Sequence, residues 1–266
     1  MKYLFDSWEN IAGQIREASH TMLMFDFDGT LTPIVDTPEM AMLHEQTRRL
    51  LKSLARNRNF TLAIISGRSI TDLQCKVAVP GIIYAGNHGL EINGPRLVFV
   101  HPLTDEIKPI MRLMGLVLRK ALREIRGVIV EDKGITLSVH YRLVDGETAK
   151  RVEDIVENKL GVATALGKVR TTAGKKVHEV RPNVSWDKGK AVKYIMKRYR
   201  KGGRRSGILP IYLGDDLTDE DAFRVVESYG GVAVYIGGEN NRSIASYYLN
   251  STDEVEQLIK ELLILD

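Results

Sequence analysis

Two carboxylates two residues apart, Asp26 and Asp28, close the run Met22-Leu23-Met24-Phe25-Asp26-Phe27-Asp28-Gly29-Thr30-Leu31-Thr32. On a strand, positions i and i+2 share a face, so both acids are expected to point into one site. At about 6 Å and an effective dielectric near 20, two such charges repel by roughly 3 kcal/mol, or about two pKa units. A cation between them removes that cost. The hard, oxygen-liganded candidate is Mg²⁺, which takes one or two carboxylates, waters and substrate phosphate oxygens. Gly29 permits a sharp backbone turn beside the pair, and Thr30 adds a hydroxyl.

Three later segments supply what phosphoryl chemistry needs: donors for phosphate oxygens, a fixed cation, and acids to hold a metal. Ser66-Gly67-Arg68 follows the apolar run Phe60 to Ile65. The Ser66 hydroxyl can donate, Gly67 lets its own N–H approach closely, and Gly67 and Arg68 are assigned to substrate binding. Lys188 falls at the start of a predicted helix, where the macrodipole disfavours a cation and welcomes anions, so a local anion is expected beside it. Lys190 competes for the same role. Gly214-Asp215-Asp216-Leu217-Thr218-Asp219-Glu220-Asp221 places five carboxylates in eight residues after an apolar strand. A helix N-terminus needs one or two acids, and the surplus suits a divalent cation. The expected metal set is Asp26, Asp28, Asp215, Asp216 and Asp219; which of the last three ligates directly stays open, with Asp215 favoured and Asp216 and Asp219 then acting through water or as orienting groups.

These groups need a scaffold that delivers strand ends to one place. Trp8, Ile11, Ile15 and Ala18 have helical spacing after Ser7, a candidate N-cap. The pattern continues with a strand at 21 to 27, a helix at 44 to 57, the strand Phe60 to Ile65, a short helix capped by Ser69 and Asp72, and a strand at Ile82 to Ala85. After residue 186 the alternation returns: a helix from Asp187, a strand Gly207 to Leu213, a helix from Thr218, a strand Val232 to Ile236, and a last helix after Ser251-x-x-Glu254. Alternating strands and helices predict an α/β fold with a mainly parallel sheet, whose ligand site lies at the carboxyl ends of the strands. Residues 103–180 differ, with a long helix to about Arg126, strands at Val128 to Val130 and Ile135 to Tyr141, a helix at 146–160 and further strands. That order predicts an inserted α+β cap domain at 103–180 between core segments 1–102 and 181–266.

With 266 residues and 44% hydrophobic content, the chain can build a substantial core over one to two domains. A formal net charge of +4 is too mild to argue for nucleic acid. The basic run Lys197 to Arg205 reads as a solvated helix end. Cys75 is the single cysteine, which excludes an intramolecular disulfide and fits a reducing cytoplasm. No secretory h-region opens the sequence, and no run of 18 apolar residues would span a membrane.

The string Asp26-Phe27-Asp28-Gly29-Thr30, with Ser66, Lys188 and Asp215 in that order, resembles the motifs of the haloacid dehalogenase-like phosphotransferases. That resemblance implies a Rossmann-like core in which Asp26 is the nucleophile, forming an aspartyl-phosphate, and Asp28 the general acid/base. Tyr84 to Glu91, Ser138 to Arg142, Gly174 to Pro182, Pro33 to Val35 and Trp186 to Ala191 narrow it, because together they are similar to the trehalose-6-phosphate phosphatases. The narrower resemblance implies that Lys175 and Glu179 contact sugar hydroxyls, that His88 and Glu91 lie near the core and cap interface, and that Arg142 contacts phosphate or fixes the cap. It further implies Mg²⁺, trehalose 6-phosphate as substrate, functional coupling to a trehalose-6-phosphate synthase, and a monomer. Competing readings are a phosphatase for sucrose phosphate or mannosyl-3-phosphoglycerate, and a non-catalytic sugar-phosphate sensor.

Overall fold

The computed structural model describes residues 1–174, 176–201, 207–240 and 242–265. The chain divides into two compact units: one of Met1–Ile34, Ala41–Phe99 and Trp186–Asp266, the other of Val35–Met40 and Val100–Ser185. The first unit carries β1 (Lys2–Tyr3), α1 (Trp8–Glu17), β2 (His20–Phe25), α2 (Glu45–Arg56), β3 (Phe60–Ile65), α3 (Ile70–Val77), β4 (Ile83–Gly86), β5 (Glu91–Gly94) and β6 (Leu97–Val100). The second contributes α4 (Thr104–Leu122), β7 (Ile129–Asp132), β8 (Leu137–His140), α5 (Gly146–Ala165), β9 (Val169–Gly174) and β10 (Val177–Pro182). The first then resumes with α6 (Lys188–Lys201), β11 (Ile208–Gly214), α7 (Glu220–Ser228), β12 (Val232–Ile236), β13 (Tyr247–Leu249) and α8 (Thr252–Leu263).

The nine-stranded sheet has the order β1-β13-β12-β11-β2-β3-β4-β5-β6. Neighbours pair in parallel from β1 through β4, and β5 is antiparallel to β4. All six residues of β2 are buried, as expected of a central parallel strand covered on both faces. The core layer joins Met22, Met24, Ala63 and Ile65 on the strands with Ala191, Ile195, Phe223 and Val226 on α6 and α7. On the other side α2 turns Leu51 and Leu54 inward, and its Thr47 hydroxyl donates to Glu256 of α8 at 2.7 Å. The second unit is an α+β layer: α4 and α5 with an antiparallel four-stranded sheet, order β7-β8-β10-β9.

Local signals place several ends. Ser69 caps α3 by accepting the Asp72 N–H at 3.2 Å, and Asp187 Oδ1 accepts the Lys190 N–H at 2.7 Å where α6 starts. Ser7 and Ser251 precede α1 and α8 as expected but make no side-chain cap bond. Glu254 instead reaches back to the Asn250 N–H at 2.7 Å. Two departures matter for the site. The strand expected over 21 to 27 ends at Phe25, and the chain then turns through Gly29 at φ +86°, with the Leu31 and Thr32 N–H groups both bonded to the Phe27 carbonyl. The helix expected from Thr218 starts at Glu220, because Leu217–Asp219 form a tighter 3₁₀ turn with a capping box between Asp216 and Asp219. The basic run from Lys197 lies partly outside the described residues, at 202–205.

Candidate active site

Asp26 leaves the carboxyl end of β2 with its N–H bonded to the Leu213 carbonyl of β11 at 2.9 Å, which ties it to the strand that ends beside Asp215. Its carboxylate is buried and meets the Lys188 ammonium, 2.9 Å from Asp26 Oδ1. Lys188 opens α6, is 2% exposed, and also donates to Asp219 Oδ1 at 2.7 Å. Lys190, its competitor in the sequence, is half-exposed and pairs with Asp187 at 3.7 Å.

Asp219 has no exposed surface and spends both oxygens on donors. Oδ1 takes Lys188 and the Tyr212 hydroxyl at 2.6 Å, and Oδ2 takes the backbone N–H groups of Asp215 and Asp216 at 3.1 Å each. This close seat requires Gly214, where a Cβ would lie 2.3 Å from the Asp219 Cγ. Gly29 serves a second close approach, since a Cβ there would lie 2.3 Å from Asp215 Oδ2. The Asp215 carboxylate therefore rests against the turn that follows Asp28.

Carboxylate oxygens of Asp26, Asp215 and Asp219 lie within 4.8 Å of one another. The Lys188 ammonium meets two of these buried acids, Asp26 and Asp219. Burial pushes the Asp26 carboxyl well above the usual range; Lys188 pulls it down, while Asp219, Asp215 and Asp216 push it further up. Burial opposes the charge on Lys188, yet Asp219 and Asp26 hold its pKa well above the usual lysine value. A buried, all-oxygen, anionic cluster of this kind fits Mg²⁺, with Asp26 and Asp215 the better-disposed ligands because the Asp219 oxygens are already committed.

Of the five acids expected around the metal, Asp26, Asp215 and Asp219 are brought together in this cluster. Asp216 turns to the helix start instead, where Oδ1 accepts the Thr218 N–H at 2.8 Å and hydroxyl at 2.6 Å. Burial would raise its pKa, but Lys188, these bonds and nearby His88 bring it below the usual value. Asp28 also lies outside the cluster, because the i, i+2 relation presumes extended backbone and the chain has already left the strand. Its carboxylate is gripped by Arg68, Nε to Oδ2 and Nη2 to Oδ1, both 2.7 Å. Arg68 is buried, donates through Nη1 to Asp72 at 2.7 Å, and lies 5.2 Å from the Phe27 ring centre.

Ser66 is buried after β3, and its Oγ accepts the Arg68 N–H at 3.2 Å; Gly67 lies half-buried between them. The Asn87–Gly89 turn clamps this loop: the Asn87 N–H donates to the Arg68 carbonyl at 2.7 Å and the His88 N–H to the Ser66 carbonyl at 2.8 Å. Asn87 and His88 both adopt left-handed backbone, φ +50° and +57°, conformations that ordinary residues seldom hold without such support. Glu91 steadies the turn by accepting from the Asn87 side chain at 3.0 Å.

In the second unit, Glu179 accepts from Arg181 and lies 3.8 Å from the Lys133 ammonium. Glu131 pairs with His140 at 2.9 Å and lies 3.9 Å from Lys133. Strand register puts Ser138 opposite both Glu131 and Glu179, so these groups share one face of the four-stranded sheet. The Ser138 hydroxyl is buried there without a hydrogen-bond partner. As site residues the sequence reading named neither Glu131 and Lys133, which follow the strand expected at Val128 to Val130, nor Arg181, which falls inside the stretch Gly174 to Pro182. Arg142 Nη1 bonds the Val35 carbonyl within the same unit. Lys175 lies outside the described residues.

A family model described as trehalose-phosphatase matches residues 24–253. The chain is 34% identical over 263 residues to probable trehalose-phosphate phosphatase D of Arabidopsis thaliana, covering 94% of this chain and 70% of the relative. The C-terminal domain of C. albicans trehalose-6-phosphate phosphatase shares the fold with a TM-score of 0.83, at 24% identity over 96% of both chains. So does the C-terminal domain of the Candida albicans trehalose synthase regulatory protein, at TM-score 0.73, 12% identity, and 97% and 98% coverage of this chain and that one. Fold alone therefore does not assign an activity, and the residues at the strand ends must. With a family match over residues 24–253 and a relative 34% identical over 94% of it, the chain belongs to the trehalose-phosphatase family.

Proposed function

We propose that the protein hydrolyses trehalose 6-phosphate to trehalose and phosphate, with Mg²⁺ and through a phosphoryl group carried on Asp26. The observation that carries this reading is the buried Asp26, Lys188, Asp219 and Asp215 constellation at the ends of β2 and β11. Lys188 orients one oxygen of Asp26, and the other attacks phosphorus in line with the departing sugar oxygen. Asp28, once protonated, gives its proton to that oxygen; as carboxylate it then takes one from the water that attacks phosphorus and frees Asp26. Ser66 keeps its hydroxyl proton for a phosphate oxygen, and Gly67 and Arg68 border the same position. Asp26 and Asp215 would hold Mg²⁺, which when bound would supply charge neutralisation for the transferring group.

Sugar recognition falls to the charged sheet face of the second unit, residues 103–180 in the expected cap, where Glu179, Glu131, Lys133 and Arg181 offer fixed donors and acceptors to hydroxyls. A site built to bond hydroxyls rejects analogues that leave its groups unpaired. His88 and Glu91 shape the phosphate loop, and Arg142 and Lys175 complete the substrate set. The reading includes a monomer working in a reducing cytoplasm on the product of a trehalose-6-phosphate synthase; no described helix is long and apolar enough to cross a membrane.

The test is initial phosphate release from trehalose 6-phosphate, sucrose 6-phosphate, glucose 6-phosphate and mannosyl-3-phosphoglycerate, with Mg²⁺ and with excess EDTA. A Mg²⁺-dependent preference for trehalose 6-phosphate is expected. Preference for another ester overturns the sugar assignment, and no turnover of any overturns the enzymatic one.

A further inference from the structure

Among the described residues Tyr212 is the largest side chain without exposed surface, and two strand residues, Leu213 and Gly214, separate it from the loop that carries Asp215. Its neighbours across the sheet are Met24 of β2 and Ala233 of β12, and its ring meets Phe223 edge-on at 5.7 Å between centres. Every one of these contacts is apolar. A phenylalanine would fill the same space without the cost of burying a hydroxyl, which is repaid only by a good hydrogen bond. The Tyr212 hydroxyl finds that bond at Asp219 Oδ1, 2.6 Å away.

Asp219 already receives two backbone N–H groups on Oδ2 and the Lys188 ammonium on Oδ1. The hydroxyl is thus the second donor on the oxygen that also holds Lys188. It fixes the direction in which that oxygen presents itself, and Lys188 in turn reaches Asp26 at 2.9 Å. We infer that Tyr212 is a positioning residue for the phosphoryl-transfer step, which locks the Asp219 carboxylate so that Lys188 holds Asp26 on line for attack. The inference rests on the function proposed above. Burial, together with the Asp219 charge, holds the phenol well above its ordinary pKa, so it remains the donor in this bond. A tyrosine suits the task because its side chain turns about only two torsions, so little freedom is lost when the bond forms.

The test compares wild type, Tyr212→Phe and Phe223→Leu, each with Mg²⁺, on trehalose 6-phosphate and on p-nitrophenyl phosphate, alongside thermal melts. Tyr212→Phe is expected to lower kcat about 10- to 100-fold on both esters, with KM changed less than about twofold, because small misplacement of a reacting group carries that scale of loss. Phe223→Leu perturbs the same core without touching the hydroxyl, and is expected to lower Tm while leaving kcat at 25 °C near wild type. If Tyr212→Phe keeps kcat within about twofold of wild type while Tm falls, or if Phe223→Leu loses kcat equally, the hydroxyl is structural and the inference is overturned. If wild type itself hydrolyses neither ester, the proposed function fails and the inference fails with it. Wild-type turnover beside an unaffected Tyr212→Phe would sink the inference alone.

Discussion

Arg68 holds Asp28 with two parallel hydrogen bonds of 2.7 Å, although the two residues stand forty positions apart and close different strands. The guanidinium is also fixed by Asp72 and by the face of Phe27, so the pair has a set direction rather than a surface ion pair's latitude. If Asp28 is the proton carrier, its aim depends on that grip. Arg68→Lys keeps the charge but loses the fork. Steady-state assays should show kcat on trehalose 6-phosphate reduced about 10-fold or more, and an unchanged kcat would detach Arg68 from the proton transfer.

Lys188 is the ammonium inside the three-acid cluster. Lys188→Met leaves Asp26 and Asp219 buried and uncompensated, a class of change that costs about 3–5 kcal/mol. For a chain of this size that corresponds to a fall in Tm of roughly 6–20 °C. Calorimetry in the presence of EDTA reads it directly. A variant as stable as wild type would mean that the acids are neutral in the folded protein.

The pH dependence follows from Asp26. Its folded-state pKa is raised by burial and by Asp219, Asp215 and Asp216, against the opposing pull of Lys188. A carboxyl raised in this way contributes stability that is present below its ordinary pKa and is lost as pH rises through the raised value. Mg²⁺ binds the ionised form and should restore what is lost. The Mg²⁺-induced rise in Tm is therefore expected to be larger at about pH 8 than at about pH 5. Equal shifts at both would contradict a raised Asp26 carboxyl whose ionised form Mg²⁺ binds.

Glu179 separates sugar recognition from chemistry. Its pairs with Arg181 and Lys133 lie on the sheet of the second unit. Glu179→Ala should reduce kcat/KM for trehalose 6-phosphate about 10- to 100-fold, and for p-nitrophenyl phosphate by less than about threefold. Equal losses on both esters would assign Glu179 a structural role.

How much was legible in the sequence depended on how local each cause is. The apolar runs of β2 and β3, the Ser69 cap and the Gly29 turn are written within a few residues, and they appear in the structure near where they were expected. The short strands β1 and β13 have two and three residues, too few for a periodic pattern. The Arg68 grip on Asp28 joins two loops that only the sheet brings together, and no spacing rule anticipates it. Asp216 and Asp219 look alike in sequence, and the 3₁₀ turn sends one to the helix start and the other beneath the site. Tyr212 was hidden inside an apolar run, where an aromatic residue reads as core.

The central claim is that Asp26 carries the phosphoryl group. It is tested most directly by quenching wild-type turnover of trehalose 6-phosphate in acid, reducing any acyl phosphate with borohydride, and locating the product by tandem mass spectrometry. Reduction of the side chain at position 26 to the homoserine alcohol, absent without substrate and absent in Asp26→Asn, is the result expected. Phosphoryl transfer to another residue, or full turnover by Asp26→Asn, would contradict the account.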